Sequence, residues 1–302
     1  MHHTMLIQRQ VFGIIKEEFV RAGLKTVVDI NDILVPLNSN VVIENTSSNG
    51  LISESIIEHH FPKITTEVEL AHFTDYKGCK GIIESGELQL ASILKWISES
   101  EFRSFAETHG LHDYSESSNG DPYYKTLMCD LFYASFTKRE PNNLTDMWDT
   151  YAERGTGAKF VFKMKVVQQR SELRPILYHS SSKNPPTLIK SLSDRILNEC
   201  GRHFVMRGIS RIGAFYLPMG YGYELEDESR LLVKAWDTGS ARNLIIGNGD
   251  EAYLPLKIGK SKNEFCDLEL VEVQSGPKSD VDNIRQLLTQ NPWSQRALFS
   301  AA

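Results

Sequence analysis

The sequence predicts an α+β protein, and three observations carry that expectation. Strand-like and helical runs are interleaved without the strict strand–helix–strand rhythm of a doubly wound sheet. Hydrophobic residues make up 41% and charged residues 24%, the balance of an ordinary globular chain rather than a disordered, collagen-like or rod-like one. The 302 residues are room for one large domain or two ordinary ones. A chain of that size buries roughly three quarters of its unfolded surface, so its core needs no disulfide or metal.

The elements follow in order from patterning. Residues 5–23 read as an amphipathic helix: Leu6, Phe12, Ile15, Phe19 and Val20 fall near helical spacing, and Gly23 supplies a stop. Val41-Val42-Ile43 is strand-like, Asn45 to Gly50 is a loop by composition, and 52–60 is a short helix. Residues 1–64 hold too little apolar surface for a core of their own and are expected to be an N-terminal extension docked on a main domain at 65–290. In that domain Val68 to Phe73 form a strand ending in Thr74-Asp75, a helix cap signal; the helix through Cys79, Ile82 and Ile83 stops at Gly86. Leu88-Gln89-Leu90 is a strand, 92–109 a helix, and 112–122 a Ser/Asn/Gly-rich loop. A strand at 131–136, a helix at 144–152 and a strand at 158–164 come next. A long helix is expected at 187–208, strands at 228–236, 242–246 and 267–273, a last helix at 279–289, and a C-terminal tail at 291–302.

Charge and cysteine usage exclude several classes. The net charge of −6, from 33 basic and 39 acidic residues, argues against a polycation wrapped in nucleic acid. Cys79, Cys129, Cys200 and Cys266 are widely spaced with no C-x-x-C, so neither a zinc site nor a disulfide framework is readable. Buried reduced thiols suit a cytoplasmic home. No apolar run approaches the roughly 18 residues of a membrane span. The Met1 to Ile7 start lacks the basic, apolar and small-residue features of a secretory signal.

No phosphate-cradling glycine loop, metalloprotease helix or nucleophile elbow is present. What stands out is three polar clusters at the ends of predicted strands. The first is His72-Phe73-Thr74, followed by Gly78, Gly81 and Gly86. The second is Tyr133-Ala134-Ser135-Phe136-Thr137, trailed by Met147-Trp148-x-x-Tyr151 and Gly155-x-Gly157. The third is Glu226-Asp227-Glu228-Ser229-Arg230. Singly, each reads as ordinary structure: a half-buried strand, an aromatic core strand, an acidic turn.

Together and in this order the clusters resemble the ADP-ribosyltransferase superfamily, whose members split NAD and move its ADP-ribose onto an acceptor. His72-Phe73-Thr74 is similar to its first motif, which holds the adenosine-side ribose. Tyr133 to Thr137 is similar to its aromatic-then-Ser-x-Ser/Thr strand. Glu226-x-Glu228 resembles its Glu/Gln-x-Glu signature, in which the second acid is catalytic. The resemblance extends over about 65–290 to a bacterial family reading His-aromatic-Thr, then Ser-Phe-Ser/Thr with Met-Trp-x-x-Tyr-x-x-x-Gly-x-Gly, then Glu-x-Glu-x-Arg. It implies a split mixed β-sheet core with flanking helices, NAD as co-substrate and no metal.

The chemistry fits those residue types. Breaking the nicotinamide–ribose bond leaves an oxocarbenium-like cation, which a nearby carboxylate stabilises. Glu228 is the candidate for that carboxylate, braced by Ser135, with Glu226 orienting or deprotonating the acceptor. Tyr133 or Tyr151 supplies a π face for nicotinamide. Neutral His72 donates to ribose hydroxyls, and Arg230 pairs with Glu228 or with a pyrophosphate oxygen.

The acceptor is read from charge. Residues 163–212 carry ten Lys/Arg against three acids. With Arg195, Arg202, Arg207 and Arg211 expected on or near one helix, that stretch suggests a phosphate-binding footprint. RNA is the expected acceptor, with single-stranded DNA or protein as alternatives. The chain resembles bacterial mRNA-modifying toxins of the CmdTAC phage-defence type, which implies adenine modification in RNA and control by an antitoxin protein. NAD hydrolysis and a non-catalytic binding module of the same fold are the rival expectations.

Overall fold

The computed structural model describes residues 2–25, 27–45, 51–96, 101–111, 117–118, 121–122, 131–167, 171–179, 187–218, 223–235 and 244–302. The chain begins with α1 (His2–Arg21), β1 (Ile33–Leu34), β2 (Val41–Glu44), α2 (Leu51–His60), β3 (Val68–Thr74), α3 (Tyr76–Ser85) and β4 (Glu87–Ser92). Then come α4 (Ile93–Trp96), α5 (Glu101–Thr108), β5 (Ser117–Ser118), β6 (Asp121–Pro122), β7 (Leu131–Lys138) and α6 (Leu144–Tyr151). They are followed by β8 (Ala158–Val166), β9 (Ser171–Pro175), β10 (Leu177–His179), α7 (Thr187–Cys200), β11 (His203–Val205), α8 (Ile209–Ala214) and β12 (Tyr216–Pro218). The last elements are β13 (Ser229–Lys234), β14 (Tyr253–Lys257), β15 (Cys266–Ser275), α9 (Val281–Gln290) and β16 (Leu298–Ala301). The protein is a mixed α+β structure with parallel and antiparallel pairings. Among the described residues no helix is long and apolar enough to cross a membrane.

Contacts divide the chain into two compact units. The first gathers Met1–Pro62, Trp96–Cys129 and Leu177–Tyr221, so the segment expected as an extension shares a unit with two stretches of the expected main domain. Its α1 buries Ile7, Val11, Ile14, Ile15 and Phe19 along one stripe and packs on α7. The expected helix at 187–208 is shorter than the sequence suggests. Gly201 takes a left-handed φ of 62°, which ends α7, and His203–Val205 pair in parallel with Val41–Ile43 of β2. Arg202, His203 and Arg207 are therefore off the helix. Within the expected helix at 92–109, the described residues form α4 and α5.

The second unit comprises Lys63–Lys95, Asp130–Ile176 and Gly222–Ala302 and holds the main sheet, in the order β14-β4-β7-β3-β8-β15-β16. β13 lies on β7, and β9 on β13. The sheet forks at β7. Strand β3 pairs with it only at Leu70↔Lys138 and Ala71↔Thr137, then continues on β8 alone. Strand β4 joins β7 at Ala91↔Tyr133 and Ser92↔Phe132, while β13 runs along all of Leu131–Phe136. One face of this sheet forms the larger core with Leu70, Phe136, Phe160, Phe162, Leu231 and Val233, covered by α3 and α9. Opposite, Ala71 and Phe73 pack under Met147, Trp148 and Ala152 of the α6 segment.

Local chemistry explains the element ends. Asp75 caps α3 by accepting from Gly78 N at 2.6 Å, and Gly86 closes it at φ 66°. A Cβ at Gly157 would lie 2.0 Å from the Thr74 carbonyl oxygen, so only glycine lets these backbones approach. The same turn accepts Gly276 N and Ser279 Oγ at the Gly157 carbonyl, tying the Gly155-x-Gly157 motif to the start of α9. Two further expectations change. Residues 298–301 of the expected tail are strand β16, parallel to β15, and 244–246 contribute only an isolated bridge from Ile246 to Tyr253.

Candidate functional site

The fork brings the three polar clusters together within the second unit. Because side chains alternate along strands, Arg230 opposite Ser135 puts Ser135, Thr137, Tyr133 and Arg230 on one face. Glu228, just before β13, turns onto that face and closes the cluster. Ser135 Oγ donates to Glu228 Oε1 at 2.5 Å. Arg230 donates to the same carboxylate from Nε at 2.7 Å and from a terminal nitrogen at 3.3 Å. The Glu228 side chain is 6% exposed and that of Arg230 4%, so this is a buried pair with two hydrogen bonds between guanidinium and carboxylate. The Arg230 guanidinium also lies over the Tyr133 ring, 5.2 Å from its centroid. One π face of Tyr133 is thus covered by a cation.

Glu226 has separate anchors. Thr137 Oγ1 donates to its backbone carbonyl at 2.5 Å, and Tyr151, the last residue of α6, donates its phenol to Glu226 Oε1 at 2.5 Å. Burial, and after it the Glu226 hydrogen bond, hold the Tyr151 phenol well above its ordinary range, so it stays a donor at every working pH. Between the two glutamates, Asp227 adopts φ 49° and pairs with Lys138 at 2.5 Å. A non-glycine residue there is uncommon and strained, and such strain collects at functional turns.

His72 spans the fork. Its Nδ1 lies 2.9 Å from the Ser135 carbonyl, on the edge of β7 that β3 has left. A carbonyl only accepts, so Nδ1 carries the proton. Burial holds the imidazole below its ordinary range, partly opposed by that hydrogen bond. Neutral His72 therefore offers Nε2 as an acceptor. A ribose hydroxyl would donate to it, the reverse of the direction expected from sequence. Phe73 packs edge-on to Trp148 at 4.9 Å in the wall beneath α6, and Thr74 closes β3 opposite Ala158.

The sequence reading missed a second buried pair. On β9, Arg174 Nε donates to Glu172 Oε2 at 2.8 Å, with side chains 0% and 2% exposed, and Lys234 reaches Glu172 at 3.0 Å. Arg174 lies directly opposite Arg230 in the sheet. The signal was present: Glu172-x-Arg174 has the same pattern as Glu228-x-Arg230, 56 residues earlier.

Several cations of the expected phosphate footprint have acidic partners. Arg195 donates to Glu199, Glu18 and Glu17 at 2.7, 2.8 and 2.9 Å. Arg207 Nε donates to the Glu44 carbonyl at 2.9 Å, and Arg211 pairs with Glu54 with its side chain only 6% exposed. Lys163 and Lys190 pair with Glu67 and Asp194. Arg202 sits half-buried between α7 and β11. Lys163 belongs to the second unit and the other groups to the first. Burial pushes the Cys79 and Cys266 thiols up to about 12, as for structural rather than reactive cysteines. Among the described residues no group of three or more His, Cys, Asp or Glu is placed to hold a metal ion. The expected loop at 112–122 and Cys129 fall mostly or wholly outside the described residues. Compared with protein-family models, curated proteins and solved structures, the chain finds no match in any of the three.

Proposed function

We propose that the protein is an NAD-dependent ADP-ribosyltransferase with a split-sheet fold of that type, and that Glu228 is its catalytic carboxylate. The observation that carries this reading is the convergence at the β7 fork of a buried carboxylate, a serine hydroxyl on it, and a neutral imidazole. NAD supplies the scissile nicotinamide–ribose bond. Glu228 places negative charge where the ribose becomes cationic, and Ser135 fixes its orientation. His72 accepts from a ribose hydroxyl through Nε2. Arg230 is a partner of Glu228 through Nε and one terminal nitrogen. Tyr133, buried and capped by Arg230, offers little face for nicotinamide.

RNA remains the proposed acceptor, with protein as the rival. The paired arginines of α7 and α8 lend it no support, so the proposal rests on the family resemblance alone, as do a cytoplasmic setting and an antitoxin partner. Incubating the pure protein with ADP-ribose-labelled NAD and cell lysate, with RNase or protease treatment afterwards, tests both parts. Label that RNase removes is expected, protease-sensitive label reassigns the acceptor, and no label with no nicotinamide released refutes the enzyme.

One observation favours a second reading. Both Glu228 oxygens contact Arg230, and the side chain is almost fully buried. A site kept closed by that pair would suit a binding module without turnover. Such a module binds NAD with unchanged affinity after Glu228→Gln and releases no nicotinamide in either form.

A further inference from the structure

Glu226 and Glu228 are two residues apart, yet separate sets of groups hold them. Glu228 is tied to Ser135 and Arg230; Glu226 is tied to Thr137 through its backbone and to Tyr151 through its side chain. The tie to Tyr151 crosses from the end of α6 to the turn before β13. Helix α6 is itself fixed, with Trp148 packed on Phe73 and Met147 buried beside it. The phenol therefore reaches Glu226 from a rigid support, as orientation of a reactive carboxylate requires. Tyr151 is 39% exposed, so this contact lies at the open side of the cluster, whereas Glu228 is enclosed.

We propose that Tyr151 is a positioning residue that aims the Glu226 carboxylate at the acceptor, and so sets how much ADP-ribose goes to the acceptor rather than to water. This rests on the transferase reading above and deepens it. The phenol oxygen is committed to Glu226 and stays protonated, so Tyr151 neither takes the acceptor's proton nor attacks the sugar. Its hydrogen bond engages Oε1 and fixes the plane of the carboxylate. In transfer, the bond from the ribose carbon to nicotinamide breaks and a bond to the acceptor nucleophile forms. The acceptor's proton passes to Glu226. In hydrolysis water takes the acceptor's place and, being small and abundant, needs less exact aim.

Tyr151→Phe keeps the ring and removes only the donor. A hydrogen bond to a charged group of this exposure is expected to be worth about a tenfold change in the ratio of transfer to hydrolysis. That ratio is read as labelled acceptor against total nicotinamide released by the full-length protein. Glu226→Gln should lower it likewise, and adding Tyr151→Phe to Glu226→Gln should lower it no further, since one residue acts through the other. A wild-type ratio in Tyr151→Phe, or additive losses in the double variant, overturns the proposal. Parallel loss of transfer and hydrolysis in Tyr151→Phe also overturns it and returns Tyr151 to nicotinamide binding or folding. Failure of the transferase reading is distinct: the wild-type protein would then release no nicotinamide at all.

Discussion

Replacing Glu228 by Gln separates catalysis from architecture because the structure allows both effects to be sized. The carboxylate accepts from Ser135 at 2.5 Å and from Arg230 at 2.7 Å, and the pair is nearly unexposed. Gln keeps the shape and one acceptor oxygen but removes the charge. Hydrogen bonds to charged groups contribute about 1.5–3 kcal/mol and neutral ones about 0.5–1.5, so the loss in stability should be about 1–3 kcal/mol. For a unit of this size that lowers the melting temperature by roughly 2–10 °C. Glu228→Ala is less informative, since removing one partner of a buried pair outright costs about 3–5 kcal/mol and endangers the fold. The rate effect should be far larger than the stability effect: a well-placed charge-stabilising group is worth about 10²–10³ in turnover. Nicotinamide release measured at 25 °C on protein shown to be folded by circular dichroism gives the answer. A folded Glu228→Gln protein with turnover within about threefold of wild type refutes the assignment.

Two further outcomes follow from a paired arginine and a half-buried histidine. Burial raises the Glu18 carboxyl, but hydrogen bonds from Arg195 and Ser191 outweigh that and hold it below its ordinary range. Arg195→Ala should therefore destabilise the first unit by about 1–3 kcal/mol, seen as a lower denaturant midpoint, since the buried Glu18 carboxylate loses one charged partner while keeping Ser191 and Arg21. An RNA-contact role would instead leave the midpoint unchanged and lower the salt dependence of RNA binding. His60 is held down to about 4, chiefly by burial and then by the neighbouring His59. Its unfolded form binds a proton near pH 6.5 that the folded form refuses, so stability is full above pH 6.5 and falls as pH drops toward 4, by up to about 3 kcal/mol. Urea titrations across that window should show the slope, and His60→Leu should flatten it; an unchanged slope assigns it to other groups.

The parts of the fold most legible in the sequence are those with strong local signals. Asp75 and Gly86 bracket α3 because a cap and a left-handed glycine act within a few residues. The strands β3, β7, β8 and β13 could be read from their apolar and aromatic runs. Less legible were features decided at long range. Gly201 ends α7 where the helical pattern continues, because His203–Val205 find a partner 162 residues away in β2. Strand β9 was hidden because Glu172 and Arg174 look like surface charges until each is seen to neutralise the other in a buried sheet face. A charge count over 163–212 likewise omits acids from elsewhere in the chain, since Arg195 and Arg211 pair with glutamates of α1 and α2. At the site, the residue types could be read, but the direction of the His72 hydrogen bond and the use of the Tyr151 phenol depend on which carbonyl and carboxylate the fork brings near.

The central claim is that the Glu228 cluster breaks the bond between nicotinamide and ribose. Its most direct test is the appearance of free nicotinamide when purified wild-type protein is incubated with NAD alone and with NAD plus RNA. Release that requires Glu228 and rises when RNA is added is the predicted result. NAD recovered intact under both conditions, from protein that is folded and binds it, would contradict the account.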